Sequence, residues 1–411
     1  MDILKILLVV DNFFPEIGSA SNVYYDLARS FIKHGNDVHV ITMYPRKFYL
    51  SEENKNKIFP VNQNKDGIQI HRAKFKFSFR DNILMRGFEH YIVPRLYYNI
   101  YKKLNVKFDG IIFYIPPYPL YKMAKRIRKL DGTKSILNIQ DIHPQELVDV
   151  GLVKNPIIIK FLEKIEKRAY KSADYITVLS PSGVDLIIER GGNPNKIEHI
   201  YNSIDFNEFK KNLKKPTYKS IEGIDDKKLI SYAGIINSFQ GIDYILDVAK
   251  RFRDDQDIIF YIVGDGMETD RLRERIKKEE INNVVFKPLQ PKDTYLNIIN
   301  SSDISIICLD SRMTAPCIPG KFVNLMAVGS CIIANVPKIN DVFSITKNEK
   351  VGLSVEPGNI NDFEEAIRKL VRDKDLRENM GKNGEKFVKN NMNLDDVTKK
   401  YERIFKFQKN N

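Results

Sequence analysis

Short, continuously apolar runs alternate with amphipathic helical stretches along almost the whole chain, and the alternation comes in two series. In the first half KILLVV, DVHVIT, IQIHRA, GIIFY, SILNIQD, DYITVLS and KIEHIY read as strands. In the second half LISYAG, IIFYIVG, VVFKPL, ISIICLD, CIIANV and GLSVEP repeat the scheme. Stretches such as SNVYYDLARSFIKHG and PIIIKFLEKIEKRAYKSA, with apolar residues at helical spacing, lie between them. A strand that is apolar at successive positions is buried on both faces, the condition inside a parallel sheet covered by helices on each side. The predicted class is therefore α/β, and 411 residues in two such series imply two doubly wound domains rather than one core.

The join between the series is visible. Residues 207–227, NEFKKNLKKPTYKSIEGIDDK, are polar and charged and carry Pro216 and Gly223, which suits a linker. This places a first domain at 1–206, a second at 228–385 and a terminal helix at 386–411. Tyr401, Ile404, Phe405 and Phe407 make that terminal helix apolar enough to dock. Ligands of doubly wound sheets bind beyond the carboxyl ends of the strands, so the expected site is a cleft between the domains.

Composition removes several function classes. No apolar run approaches the ~18 residues of a membrane-spanning helix. KILLVV runs directly into Asp11 without a small-residue cleavage site, so it reads as a first strand and not as a signal peptide. Cys308, Cys317 and Cys331 lack CxxC spacing, which fits a reducing cytoplasm. The six histidines form no HxxxH or HxH pair, so no metal site is expected.

The net charge is +13, and much of the excess lies between 72 and 107, where the only acids are Asp81 and Glu89. Arg72, Lys74, Lys76, Arg80, Arg86, Arg95, Lys102, Lys103 and Lys107 interleave there with Phe75, Phe77, Phe79, Phe88, Tyr91, Tyr97, Tyr98 and Tyr101. The segment reads equally as a solvated face over a packed core or as a surface that meets anionic lipid. Nucleic acid is a third option, but no nucleic-acid motif accompanies the charge.

Three glycine turns follow strand ends. DNFFPEIGSASN sets Gly18 and Ser19 before a helix, YAGIINSFQGIDYIL sets Gly234 and Gly241 around a polar loop, and IVGDG sets Asp265 between two glycines. Such turns offer free backbone N–H groups and a helix dipole to a phosphate. No GxxxxGK[ST] and no complete dinucleotide fingerprint occurs. The Gly234–Gly241 loop holds no arginine or lysine, so a positive charge for a phosphate must come from elsewhere. Asp141 and His143, in NIQDIHPQ, stand at a strand end, where they serve either as turn caps or as groups that handle a proton.

PEIGSAS, KRAYKSADYITVLSPSG, HIYNSIDFNEF, YAGIINSFQGIDYIL, IVGDG and PGKFVNLMAVGSCIIAN occur in this order. Together they closely resemble the group 1 glycosyltransferases, family 4 in the sequence classification. The resemblance spans nearly the whole chain. It implies the GT-B arrangement, two Rossmann-like domains facing a central cleft, with the last helix crossing back to the first domain. It also implies transfer of a sugar from a nucleotide diphosphate sugar with retention of configuration, without a metal or other cofactor.

Carried over by position, Gly18 and Ser19 match the loop against the donor diphosphate, and Asn202 matches the interdomain turn. Gly234, Gln240 and Gly241 match the phosphate loop, and Asp265 its neighbour. Most relatives carry arginine and lysine where this chain has Ile235 and Gln240, and two glutamates where it has Pro316 and Asn324. A branch related to bacterial polysaccharide aminosugar transferases has "QG" in the loop and "PSK" at the later helix. Gln240-Gly241 and Pro319-Gly320-Lys321 are similar to that branch. It implies a UDP-linked aminosugar as donor and Lys321 as the missing cation, with Asn324 left to hold ribose hydroxyls. The alternative for Lys321 is a solvated surface lysine.

Asp141 and His143 match a segment that contacts the transferred sugar or the acceptor. The implied partners are a nucleotide diphosphate sugar, a glycan or polyprenyl-type lipid-linked acceptor and an anionic membrane, with no nucleic acid. The implied place is the cytoplasm, on the inner face of the cell membrane. A nucleotide-sugar 2-epimerase of the same fold and a catalytically impaired binding relative are the rival readings.

Overall fold

The computed structural model describes residues 3–47, 50–75 and 83–410. Lys76, Phe77, Phe79 and Arg80, and the side chains of Arg86 and Phe88, lie outside what is described. The chain divides into two compact units. The first comprises Met1–Pro144, Lys154–Ile204 and Leu394–Asn411, and the second Gln145–Val153 and Asp205–Asn393.

The first unit is built on eight strands: β1 (Lys5–Val9), β2 (Asp37–Met43), β3 (Asn62–Lys65), β4 (Ile68–Ala73), β5 (Gly110–Ile115), β6 (Ser135–Ile139), β7 (Tyr175–Val178) and β8 (Ile197–His199). Their order is β3-β4-β2-β1-β5-β6-β7-β8, all parallel except β3, which pairs antiparallel with β4. Strand order reverses between β1 and β5, so the crevice beyond the carboxyl ends opens there. The core joins Ile6, Leu8, Val38, Val40, Ile112 and Ile136 with the helix Ser19–Lys33.

The terminal helix Leu394–Asn410 completes this core. Val397, Tyr401, Ile404 and Phe405 are buried within it, each large side chain contributing about 1.5–3 kcal/mol. A side chain at Gly110 would collide with the Phe405 ring, so the helix lies directly on β5. Phe407 was expected to dock with them but points outward, 62% exposed. Two positions from Phe405, it falls on the opposite side of a helix of 3.6 residues per turn.

The second unit carries six parallel strands: β9 (Lys228–Ala233), β10 (Ile258–Val263), β11 (Val284–Lys287), β12 (Ile304–Cys308), β13 (Ile332–Asn335) and β14 (Gly352–Val355). Their order is β11-β10-β9-β12-β13-β14, which reverses between β9 and β12. Residues 207–227 contain two short helices, Phe206–Asn212 and Tyr218–Glu222, and belong to this unit. The backbone N–H groups of Thr217 and Tyr218 bond Asn297 and Ser301 on the helix Lys292–Ser301. Segment Gln145–Val153 also belongs here, because Asp149 accepts bonds from the N–H groups of Thr314 (2.6 Å) and Ala315 (3.1 Å).

Among its described residues, the 72–107 segment does not gather its basic and aromatic side chains on one exposed face. Arg72 is 1% exposed and donates to the carbonyls of Pro60 and Phe14, while Tyr97 and Tyr101 are buried. These side chains fill the space beside the sheet. Lys74, Arg95, Lys102, Lys103 and Lys107 remain exposed.

Candidate functional site

In the second unit the turn after β9 sits at the strand-order reversal, and three neighbours hold it. Gly234 N–H bonds the Val263 carbonyl, Ile236 N–H the Asp265 carbonyl, and the Phe239 carbonyl accepts from Asp310 N–H, at 2.8–3.0 Å. A Cβ at Gly264 would lie 1.9 Å from the Gly234 carbonyl, so this close approach requires glycine there. Gly241 takes the left-handed conformation, φ 55°, and opens the helix Ile242–Ala249. The turn is thus a rigid backbone frame ending at a helix N-terminus.

Lys321, on the first turn of the helix Gly320–Val328, reaches this frame. Its Nζ donates to the Tyr232 hydroxyl (3.0 Å) and to Gln240 Oε1 (2.5 Å), and lies 4.1 Å from the centre of the Tyr232 ring. A Cβ at Gly234 would stand 3.4 Å from the same Nζ. The Tyr232 hydroxyl also lies 2.8 Å from the Ile235 carbonyl and 3.0 Å from Gln240 Oε1. Gln240 is thus a partner of the Lys321 ammonium.

Among the described residues no carboxylate pairs with Lys321. Desolvation around the ammonium brings its pKa down to about 7, only partly opposed by the sulfurs of Cys308 and Cys317. A cation held by neutral partners, beside a helix N-terminus, is the kind of place that suits an anion.

Asn324 lies one turn further along the same helix and bonds the Tyr295 hydroxyl. Asp265 commits one carboxylate oxygen to its own turn, accepting from Gly266 N–H (2.8 Å) and the Thr269 hydroxyl (3.1 Å). A polar cavity of about 230 Å³ borders the loop at Asn237, Ser238, Tyr244 and Arg312. Arg271 there is paired with Asp243 (2.6 Å) and Arg312 with Asp310 (2.7 Å), so the cavity offers a phosphate little net charge.

In the first unit Gly18 precedes the helix Ser19–Lys33 without a side-chain cap, and a Cβ there would touch nothing within 4 Å. Beside this turn Arg46 bonds Asp11 Oδ2 (3.0 Å) and Glu16 Oε1 (3.1 Å). Glu16 is almost wholly buried, and burial raises its pKa despite the guanidinium. Asn12 Oδ1 is buried at the same strand end with no partner among the described residues.

Asp141 and His143 follow β6. Gln140 and Asn202 exchange amide bonds (3.1 and 2.9 Å) and so brace the residue before Asp141. Burial pushes Asp141 up to about 6 and, with His90 nearby, His143 down to about 4. At neutral pH the imidazole is therefore uncharged, able to donate from one nitrogen and accept at the other.

Sequence reasoning named Gly234, Gln240, Gly241 and Lys321, which the fold brings together. Asn202 meets Gln140, while Gly18 and Ser19 stand at a separate turn of the first unit. It missed Tyr232, Tyr295, Asp11, Glu16 and Arg46. Tyr232 stood in the quoted motif but read as one more buried strand residue.

Comparison with known proteins gives the family. The model of glycosyl transferases group 1 matches residues 214–387, and that of glycosyltransferase family 4 matches residues 20–208. The chain is 21% identical to the putative colanic acid biosynthesis glycosyl transferase WcaI of Escherichia coli (strain K12), covering 90% of this chain and 92% of that one. It is 20% identical to N-acetyl-alpha-D-glucosaminyl L-malate synthase of Bacillus anthracis, covering 95% and 94%. Among solved structures, HepE of Anabaena in complex with UDP-glucose superposes with a TM-score of 0.69 at 14% identity, covering 98% and 99%. Two matched models spanning both units, on two parallel doubly wound sheets, make the chain a GT-B glycosyltransferase that belongs to group 1.

Proposed function

We propose that this enzyme transfers a sugar from a nucleotide diphosphate sugar, with retention of anomeric configuration, to a glycan or polyprenyl-type lipid-linked acceptor. The observation that carries the reading is the Lys321 ammonium, held beside the Gly234–Gly241 frame by Tyr232 and Gln240 and unpaired with any carboxylate among the described residues. As the bond from the anomeric carbon to the diphosphate oxygen breaks, negative charge grows on the leaving group. A fixed ammonium and backbone N–H groups stabilise that charge as it forms. The acceptor hydroxyl attacks the anomeric carbon from the departing side and passes its proton to the leaving phosphate, so no protein carboxylate need form a covalent bond. We assign Gly18 and Ser19 to the diphosphate, Asn324 to the ribose hydroxyls, and Asp141 and His143 to the acceptor hydroxyl and the transferred sugar. No metal is required, because Lys321 supplies the charge.

The "QG" loop and the Pro-Gly-Lys turn, together with a relative named for an N-acetylglucosaminyl product, favour a UDP-linked aminosugar. WcaI, named for colanic acid biosynthesis, favours a place in cell-surface polysaccharide synthesis, in the cytoplasm at the membrane's inner face. Among the described residues no helix is long and apolar enough to cross a membrane. The test incubates purified protein with UDP-sugars, each with and without a lipid-linked glycan acceptor. Donor consumed only when acceptor is present is the expected result. Donor converted without acceptor would mean an epimerase, and donor bound but never consumed would mean a binding relative.

A further inference from the structure

The helix Pro156–Ser172 starts sharply: Pro156 holds the first position, and the Asn155 side chain accepts from the N–H groups of Ile157 (2.9 Å) and Ile158 (3.4 Å). Its C-terminal half packs into the first unit through Ile165, Ala169 and Tyr170. Its first two turns do not. Ile157 is 77% exposed, Phe161 55% and Ile158 41%. Ile157 and Phe161, four residues apart, share one side of the helix, and Ile158 is three from Phe161. A single exposed isoleucine is ordinary, but three large apolar side chains on two turns form a patch.

The charge around this patch is predominantly positive. Lys154, Lys160, Lys164, Lys167, Arg168 and Lys171 are all exposed. Glu163 is the one exposed acid between Lys154 and Lys171, since Glu166 is buried against Arg190 at 2.9 Å. The helix Tyr121–Asp131, which packs on this one, adds exposed Lys122, Lys125, Arg126 and Lys129. A nucleic acid would use the cations and leave the isoleucines in water. A second copy of this chain would bring the same cations against themselves. A phospholipid bilayer uses both features, apolar side chains entering the acyl boundary while lysines reach anionic headgroups.

We propose that the first two turns of the helix Pro156–Ser172, with the lysines that flank them, are a docking face for an anionic phospholipid surface. The proposal rests on the reading of a transferase that meets its acceptor at a membrane, and it moves the contact from the 72–107 segment to this helix. The rigid start makes the face preformed, so little ordering opposes binding.

The test floats full-length protein with phosphatidylcholine vesicles, with and without phosphatidylglycerol. Wild type should bind the anionic vesicles at low salt and lose much of that binding at physiological ionic strength. Ile157→Ser with Phe161→Ser should weaken binding by about tenfold or more, and Lys160→Glu with Lys164→Glu by a similar factor. All four side chains are exposed, so melting temperature and UDP binding should match wild type in both variants. Lys102→Glu with Lys103→Glu, on the helix Ile83–Leu104 that packs on Tyr121–Asp131, should cost less.

No binding at low salt would overturn the proposal, as would wild-type binding by the apolar variant. A dimer in solution that the apolar variant turns to monomer would assign the face to a second copy. Binding of single-stranded RNA that only the lysine variant loses would assign it to nucleic acid. Transfer to a soluble acceptor is measured separately. Its absence in every form would sink the transferase reading and leave the vesicle result standing.

Discussion

The two sheets repeat one backbone device and charge it oppositely. After β1, and again after β9, the chain leaves a buried strand at the reversal of strand order and enters a helix through a glycine. Both turns bring the positive end of a helix dipole to a strand end. In the second unit the cation beside the turn, Lys321, has only neutral partners. In the first unit the corresponding cation, Arg46, is neutralised by Asp11 and Glu16. The backbone turns alike at both places, and side chains from distant segments decide which one is left with a cation that no carboxylate neutralises among the described residues.

If that difference is functional, substitutions in the two units should damage different constants. The largest effect is expected at the end of β6. His143→Ala or Asp141→Asn should lower the transfer rate by roughly 10²–10⁴-fold, the range for a positioned proton-handling group. Dissociation constants for UDP should stay within about twofold, because the phosphate loop is untouched. Single-turnover transfer alongside calorimetric titration of UDP checks this. Full activity in both variants would return the pair to turn capping.

Next in size is Lys321→Met. Loss of charge-assisted bonds to a diphosphate should weaken UDP binding roughly ten- to hundredfold, with uridine binding little changed. The same variant should melt at a higher temperature than wild type when no ligand is present. Lys321 titrates near pH 7 in the fold and at 10.5 when free. Between those values the unfolded chain holds a proton that the fold releases, so stability rises with pH there. At neutral pH and below, the folded state carries the full cost of the desolvated charge, and methionine removes it. Wild-type UDP affinity should fall as pH rises from 7 towards 9, with proton uptake on binding at pH 8. A variant that binds UDP normally would break the comparison at its centre.

Arg46→Met should do the reverse. Glu16, its side chain 1% exposed, would lose its main counter-charge. Since Arg46 is one-third exposed, screening reduces the expected destabilisation to about 2 kcal/mol. The loss should be greater at pH 8 than at pH 5, because protonating Glu16 relieves the uncompensated charge. UDP binding should not change. Chemical denaturation at the two pH values measures the first two effects.

The features that survived from sequence to fold were those set by local pattern. Every run read as a strand became one, because an extended apolar stretch of that length is favourable when a sheet buries both its faces. β3 was invisible: NQNK is polar and short, and holds its place at the sheet edge by pairing with β4 alone. Arg72 read as surface charge, yet its stem is buried and its two terminal guanidinium nitrogens donate to carbonyls 12 and 58 residues away. The place of Lys321 beside the Gly234–Gly241 loop was legible because that loop carries no cation of its own. The Arg46–Glu16 pair, 30 residues apart, leaves no local trace. Tyr232 shows the limit best, since periodicity says that a strand residue is buried but not what its hydroxyl meets.

The smallest predicted effect isolates that hydroxyl. Tyr232→Phe keeps the ring 4.1 Å beneath the ammonium and leaves Gln240 in place, but removes one acceptor at 3.0 Å. A net hydrogen bond of about 0.5–1.5 kcal/mol corresponds to roughly two- to tenfold in affinity. With one acceptor gone, the ammonium is less well solvated, so its pKa should fall below the present value of about 7. The pH at which UDP binding weakens should therefore move lower in the variant, with the plateau affinity at pH 6 reduced only slightly. A purely structural tyrosine would lower the melting temperature and leave that midpoint where it is. The pH profile, rather than the affinity at one pH, separates a residue that tunes Lys321 from one that merely fills the strand end.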